Sequence, residues 1–309
     1  MRQNCISSLA QLARQNPRVV FIGSDTSKAN LGEFIRDFPD RFFMEGVCEA
    51  NIIGMAAGMA MSGKIPYINT IATFLTRRCY EQILIDLGLH NLPVRLLGSG
   101  GGVVYAPLGP THLATDDIAL MQLVPNMTVV SVCDAKEMDR LMPQTISWPG
   151  PMYIRIAKGS EKIVSDEKWS LEIGKGSLIR EGTDILLLTT GVGCQIALET
   201  AEALAAQKIS CEILHLATIK PLDVKSILRH AEGKKGIFTI EEHRLSGGLG
   251  STVASLLLEE GWRGMNFKRF SLPDDFIEEL GSQEEVMRHH GLDAKHISQA
   301  ILKLMKENK

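Results

Sequence analysis

The sequence has little of what marks a secreted, membrane or nucleic-acid-binding protein. Its six cysteines are scattered, with no CxxC pair and no histidine at metal-ligand spacing, which argues against a disulfide framework or a metal site. No stretch approaches about 18 consecutive apolar residues, and the first residues lack the apolar run of a signal peptide. The 33 basic residues do not outnumber the 36 acidic ones, so nucleic acid is not an expected partner. We predict a cytoplasmic protein that binds neither membrane nor nucleic acid.

The pattern of apolar residues predicts an α/β protein of two domains. The 309 residues are enough for about two domains. Short β-branched runs alternate with longer helical patterns, which is typical of mainly parallel sheets flanked by helices. A polar stretch at 157–174 interrupts this alternation. We therefore expect one domain over residues 1–165 and a smaller one over 175–309.

Each domain has its own set of predicted elements. Strands are predicted at 19–23, 66–71, 94–98, 128–132 and 152–156, and then at 185–189, 211–216, 236–240 and 267–271. Helices are predicted at 49–61, 75–87, 115–123 and 135–145, and then at 195–206, 223–230, 249–259 and 294–305.

Three glycine-rich turns lack the full signature of a nucleotide site. The turn at 58–64 has Ile65 where a phosphate-binding loop needs Ser or Thr. The run at 98–102 has Val103 where a dinucleotide fingerprint needs glycine, so we expect its backbone to approach a ligand or a neighbouring subunit closely. The turn at 247–251 opens a helix, and either an anion or close helix-strand packing explains it.

Glu49 begins a helix that is apolar nearly all round and rich in alanine and glycine. Such a helix is buried and lets a neighbour approach its backbone. A carboxylate in the first turn commonly complements the free N–H groups there. The alternative is a desolvated carboxyl that exchanges a proton with a bound base.

Phe74, Arg77 and His112 also fit either a structural or a ligand-binding role. Phe74 enters a helix from a strand-like segment, so its ring is either core or a stacking surface for a flat ligand. Arg77 stands four residues before Glu81, which is the spacing of a simple surface ion pair. His112 ends a Gly-Pro-Thr-His turn and offers a donor or a proton to a ligand.

Five segments, taken together, resemble the carboxy-terminal half of transketolase and of its relative deoxyxylulose-phosphate synthase. They occur in family order across nearly the whole chain: FMEGVCEANIIGMAAGMA at 43–60, TFLTRRCYEQ at 73–82, GPTH at 109–112, IKPLD at 219–223 and EEHRLSGGLGS at 241–251. The resemblance implies a thiamine-diphosphate enzyme in which this chain supplies a pyrimidine-binding domain and a carboxy-terminal domain.

The resemblance also implies roles for four of these residues. Glu49 matches the catalytic glutamate that bonds N1′ of the cofactor's aminopyrimidine, and Phe74 matches the aromatic residue that stacks on that ring. Arg77 matches a residue near the substrate channel. His112 matches a catalytic histidine that contacts the sugar.

Further positions bear on the cofactor and the substrate. Asp25 fits a transketolase pattern as a cofactor-binding residue, and Arg155 and Lys158 are candidates for binding a substrate phosphate. Ala29 stands at a phosphate-contacting serine position, and Leu108 replaces an acidic residue common in sugar-using members. We therefore do not expect an ordinary phosphorylated ketose as the substrate.

The chain lacks the GDG motif and following Asn pair with which the family holds magnesium and the diphosphate. The resemblance therefore implies a split transketolase, which transfers a two-carbon ketol unit. A second, amino-terminal polypeptide would supply the Mg²⁺ and diphosphate ligands, and two copies of each subunit would assemble around a homodimer of this chain.

Three other functions remain open at this stage. The chain could be the beta subunit of a 2-oxoacid dehydrogenase, or part of an enzyme like deoxyxylulose-phosphate synthase. It could also be a non-catalytic scaffold, although the presence of Glu49 and Phe74 argues against that. The sequence does not assign a role to His243.

Overall fold

The first domain alternates strands and helices as the sequence predicts. The computed structural model describes residues 1–24, 31–157, 161–166 and 168–307. In chain order the elements are α1 (Arg2–Gln15), β1 (Val19–Gly23), α2 (Gly32–Asp37), β2 (Phe42–Met44), α3 (Glu49–Met61), β3 (Ile65–Ile71), α4 (Ala72–Thr76), α5 (Tyr80–Gln82), a π-helical segment (Ile83–Leu89), β4 (Arg95–Ser99), α6 (Asp117–Leu123), β5 (Thr128–Ser131), α7 (Ala135–Thr145) and β6 (Met152–Ile156). Short 3₁₀ turns lie at Pro39–Arg41, Ala106–Leu108 and Pro110–His112.

The second domain follows the polar stretch. Its elements are β7 (Ser177–Arg180), β8 (Ile185–Thr189), α8 (Gly193–Ala205), β9 (Cys211–His215), β10 (Thr218–Lys220), α9 (Val224–Ala231), β11 (Gly236–Arg244), α10 (Leu249–Glu259), β12 (Asn266–Leu272), α11 (Gln283–His289) and α12 (Ala294–Glu307). Within the described residues, no helix combines the length and apolar character needed to cross a membrane.

Two mainly parallel sheets confirm the predicted fold class. The first has the order β10-β5-β6-β4-β3-β1-β2, and only β10 runs antiparallel to its neighbour. The second has the order β12-β11-β8-β9-β7, with β7 antiparallel to β9. Central strands such as β1 and β6 are buried at every residue because helices cover both faces of their sheet.

The two domains share the first sheet, which the sequence pattern does not predict. The edge strand β10 comes from the second domain and pairs with β5 through Thr218 and Lys220. Lys220 also donates hydrogen bonds to the carbonyls of Gln122 and Val124, at 2.7 and 2.6 Å. The second domain is therefore fixed to the first by backbone pairing as well as by side chains.

The prediction of one helix over 75–87 is wrong. The chain forms α4, a turn at residues 77–79, the short α5 and then the π-helical segment. Arg77 and Arg78 lie in that turn and bond to different partners, Asp116 and Glu49. The turn interrupts the helix at these two arginines, and the segment that follows is wound in wider π turns.

The glycine run at 98–102 packs against the chain itself, which corrects the expectation of a ligand or subunit neighbour. A Cβ at Gly98 would lie 2.5 Å from the Tyr153 hydroxyl, and one at Gly101 would lie 2.3 Å from Arg155 Nε. Gly102, at φ +68°, lies against the Glu242 carboxylate of the second domain. The glycines are needed for close packing between β4, β6 and β11.

Candidate functional site

Glu49 is a buried carboxylate held by one arginine. It is the first residue of α3 and is 2% exposed, because Ile52, Ile53 and Ala56 pack the same helix into the core. Arg78 donates a hydrogen bond from Nη1 to Glu49 Oε2 at 2.8 Å. The Arg78 side chain is itself 49% exposed, so the buried carboxylate lies directly behind a cation that solvent can reach.

Phe74 and His112 complete a cluster with this ion pair. The Arg78 guanidinium lies over the Phe74 ring, 4.6 Å from its centroid. The His112 ring meets Phe74 edge-on, with centroids 5.2 Å apart. The structure thus brings together three predicted residues from separate elements, and we call Glu49, Phe74, Arg78 and His112 the α3 cluster. The sequence pattern did not single out Arg78, although its position four residues after Phe74 was the available signal.

Arg77 is engaged with the loop that carries His112. Its Nε and Nη2 donate to the Asp116 carboxylate at 2.8–3.0 Å, and Nη2 also reaches the Leu113 carbonyl at 2.9 Å. Such a bidentate pair fixes the geometry of both groups. In this arrangement Arg77 positions the His112 loop.

Arg155, a candidate for binding a substrate phosphate, lies in a buried network of hydrogen bonds within the chain. It is 5% exposed, and Nε donates to Asp117 Oδ2 at 2.9 Å. Its Nη2 donates to the carbonyls of Ala114 and Glu242, at 3.0 and 2.8 Å. Tyr153 donates a further hydrogen bond to Asp117 at 2.6 Å. Arg155 therefore joins β6, the start of α6 and β11 of the second domain.

The residues of the EEH sequence at 241–243 also form hydrogen bonds within the chain. Glu241 accepts hydrogen bonds from the backbone N–H groups of Leu249 and Gly250, both at 2.7 Å. The Glu241 carboxylate thus occupies the start of α10. The sequence had left a bound external anion as one explanation of the glycine-rich turn there. His243 is buried, and its Nε2 accepts from the Ala119 N–H at 3.3 Å while Nδ1 lies 2.8 Å from the Arg244 carbonyl. His243 thus connects β11 to α6.

Cys79, which lies beside the α3 cluster, is not a reactive thiol. Burial, together with the negative charge of Glu49, raises the pKa of Cys79 to about 12. The thiol therefore stays protonated at neutral pH. Two other predicted site residues, Asp25 and Lys158, lie outside the described residues.

Comparison with known proteins identifies the family. Residues 1–162 match the family described as the pyrimidine binding domain of transketolase, and residues 174–297 match the transketolase C-terminal domain. The chain belongs to the transketolase family and corresponds to its carboxy-terminal section. This confirms the resemblance stated from the sequence.

Several relatives are subunits of split enzymes. The chain is 31% identical to a subunit of the apulose-4-phosphate transketolase of Phocaeicola vulgatus, over 99% of this chain and 97% of that protein. It is 34% identical to a 6-deoxy-6-sulfo-D-fructose transketolase subunit of a Clostridium species, over 97% of this chain and 92% of that protein. A solved structure described as a split gene transketolase, an inactive beta4 tetramer, superposes with a TM-score of 0.91 at 30% identity and covers 100% of this chain and 99% of that one.

Single-chain relatives are about twice as long. A 1-deoxy-D-xylulose-5-phosphate synthase of Geobacter sulfurreducens is 36% identical over 95% of this chain, which spans 46% of that protein. The segment shared with such relatives is the carboxy-terminal section, since the chain matches the pyrimidine-binding and C-terminal families.

Proposed function

We propose that the chain is the carboxy-terminal subunit of a thiamine-diphosphate-dependent transferase, which moves a two-carbon ketol unit from a ketose to an aldose. The α3 cluster carries this proposal, because it sets a buried carboxylate beside an aromatic face. Arg78 places a flat cationic group on Phe74 and donates to Glu49. An aminopyrimidine ring needs the same two contacts, an aromatic face such as Phe74 and a hydrogen bond with a carboxyl group such as Glu49. These two residues therefore fit the cofactor.

The residues of the α3 cluster then have distinct tasks. Thiamine diphosphate, when bound, supplies the nucleophilic carbon that carries the transferred unit. Glu49 would hold and exchange a proton at N1′ of the aminopyrimidine, and Phe74 would support the ring. Arg78 would move away from Phe74 and Glu49, because the ring occupies the same position. His112 offers a ring nitrogen to the sugar, and Nδ1 lies 2.9 Å from the Thr111 hydroxyl, which orients the ring.

The names of the relatives indicate the substrate class. Two of them act on unusual ketoses, one a phosphate ester and one a sulfonate by name. We propose a ketose with an anionic substituent as the donor in this enzyme as well. Lys158 stays a candidate for that anion, and Asp25 stays a candidate for the cofactor.

A partner subunit would supply the Mg²⁺ and diphosphate ligands. The chain contains no GDG motif, and the longer relatives include a further half that this chain does not span. Val47, two residues before Glu49, is 66% exposed, and Leu108, near His112, is 55% exposed. These apolar side chains suit a surface that another subunit covers. We propose an assembly with two copies of each subunit.

Cofactor binding is expected to depend on that partner. Calorimetric titration of the purified chain should show weak or no binding of thiamine diphosphate, because stacking and one hydrogen bond leave the diphosphate unheld. Addition of the amino-terminal subunit and Mg²⁺ should give tight binding and ketol transfer without release of CO₂. Tight binding by this chain alone would contradict the split enzyme. Decarboxylation with acyl transfer to lipoamide would indicate the 2-oxoacid dehydrogenase alternative.

The same chain is expected to form a homodimer through the outer face of α3. Asn51, Gly54, Gly58 and Met61 are exposed on this face, and an added Cβ at either glycine meets nothing within 4 Å. Gly58→Leu should therefore fold normally yet block a close helix contact between copies. Light scattering should find a dimer or larger assembly for the parent and for Gly32→Leu, a glycine in α2 with equal space around it, and a smaller species for Gly58→Leu. A monomeric parent at micromolar concentration would refute the homodimer.

A further inference from the structure

Three groups that bind divalent metals converge between the domains, outside the α3 cluster. Cys133 follows β5 and Glu137 lies in the first turn of α7, whereas His215 ends β9 in the second domain. One ligand atom from each of the three lies within 4.8 Å of the others, and all three side chains are buried. No sequence motif marks this group, because its members come from separate elements.

Cys194 adds a fourth donor from α8. It is fully buried, and its thiol contacts that of Cys133. We call the four residues the interdomain cluster: Cys133, Glu137, Cys194 and His215. Zinc in structural sites takes four tetrahedral ligands from thiolate, imidazole and carboxylate groups, and its bond lengths place neighbouring ligand atoms about 3.3–3.8 Å apart. The spacing among Cys133, Glu137 and His215 is compatible with this geometry.

Outer contacts hold the donors in orientation. His215 Nδ1 lies 2.9 Å from the Thr189 hydroxyl, which directs Nε2 toward Glu137 Oε2 at 3.2 Å. Glu137 Oε2 also accepts the Cys133 backbone N–H at 2.6 Å. Metal-ligating histidines usually have such a partner on their second nitrogen.

A simple ion pair explains only part of this arrangement. His215 Nε2 and Glu137 Oε2 lie 3.2 Å apart and both side chains are buried, which is the geometry of a hydrogen-bonded pair. Such a pair accounts for the imidazole and the carboxylate, yet not for two thiols next to them.

We propose that the interdomain cluster is a structural zinc site that ties the second domain to the first. Zinc would replace one proton on each thiol and one on the imidazole, and these three protons would pass to solvent. Cys133, Glu137 and His215, whose ligand atoms lie within 4.8 Å of one another, would supply three ligands, and a shift of the neighbouring Cys194 side chain toward them would supply the fourth. The proposal does not depend on the function assigned to the α3 cluster.

The full-length chain tests this site directly. Elemental analysis after purification without chelator should find zinc equimolar with the chain. Replacement by Co²⁺ should give the visible bands of tetrahedral cobalt and a near-ultraviolet sulfur-to-cobalt charge-transfer band. Cys133→Ser and Cys194→Ser should lose both signals, whereas Cys211→Ser, which changes another buried thiol of β9, should keep them.

A milder variant keeps the test valid if the cysteine variants do not fold. Thr189→Val removes only the hydroxyl beside His215 Nδ1, and metal affinity should fall by roughly 10–100-fold. A folded parent chain that binds neither zinc nor cobalt would overturn the proposal. A disulfide between Cys133 and Cys194, found by mass spectrometry in chain purified without chelator, would also overturn it.

Discussion

Replacing Glu49 with glutamine in the assembled enzyme is expected to slow hydrogen–deuterium exchange at C2 of bound thiamine diphosphate by about 10²–10⁴-fold. Glutamine keeps the volume of the side chain and can accept the hydrogen bond from Arg78. It cannot exchange a proton with N1′, and lost acid-base catalysis of this kind corresponds to about 3–5 kcal/mol in the barrier. Exchange at C2 reports the activation of the cofactor without knowledge of the substrate.

The fold of this variant should survive, because Glu49 contributes one hydrogen bond at the start of a helix that is otherwise packed in the core. Glu81→Gln is a suitable control, since it makes the same chemical change on the exposed surface of α5. Circular dichroism and partner binding should be unchanged in both variants. If C2 exchange in the Glu49 variant stays within a few-fold of the parent, Glu49 is a structural residue and the proposed catalytic role is wrong.

The sequence predicted several buried strands and partly buried helices well. The strands at 19–23, 152–156 and 185–189 and the helices at 49–61 and 135–145 match the structure at both ends. A strand that is buried on both faces is apolar along its length, so its ends coincide with the change in composition. Elements that lack this contrast were missed, as with β10, whose three residues pair with the other domain's sheet.

Charged residues were harder to predict than apolar ones. The pattern marks Arg77, Arg78 and Arg155 as cations but not the partners that fix them. Arg77 forms an ion pair with Asp116, and Arg78 forms one with Glu49. Arg155 donates hydrogen bonds to a buried aspartate and to two carbonyl groups. These partners lie 29 to 87 residues away in the chain, so only the folded structure distinguishes a positioning residue from one that faces a ligand.

Loss of Arg155 is expected to have the second large effect, which is on stability. Replacing Arg155 with alanine should lower the free energy of unfolding by about 3–5 kcal/mol, because it leaves the carboxylate of Asp117 buried without its cation. Asp117 is 0% exposed and its other oxygen, Oδ1, has no hydrogen-bond partner among the described residues, so no second cation there compensates the loss. Urea unfolding of the purified chain measures this change.

Two comparisons separate this structural role from the binding of a substrate anion. Arg36→Ala removes an exposed arginine that pairs with Asp37, and its effect on unfolding should be small because solvent screens that pair. Arg155→Lys should keep the charge but lose part of the stability, since one ammonium group cannot reproduce the guanidinium contacts with Asp117 and the two carbonyls. If Arg155→Ala instead unfolds like the parent and raises only the KM of the assembled enzyme, Arg155 acts on the substrate and the buried network is not what holds the domains together.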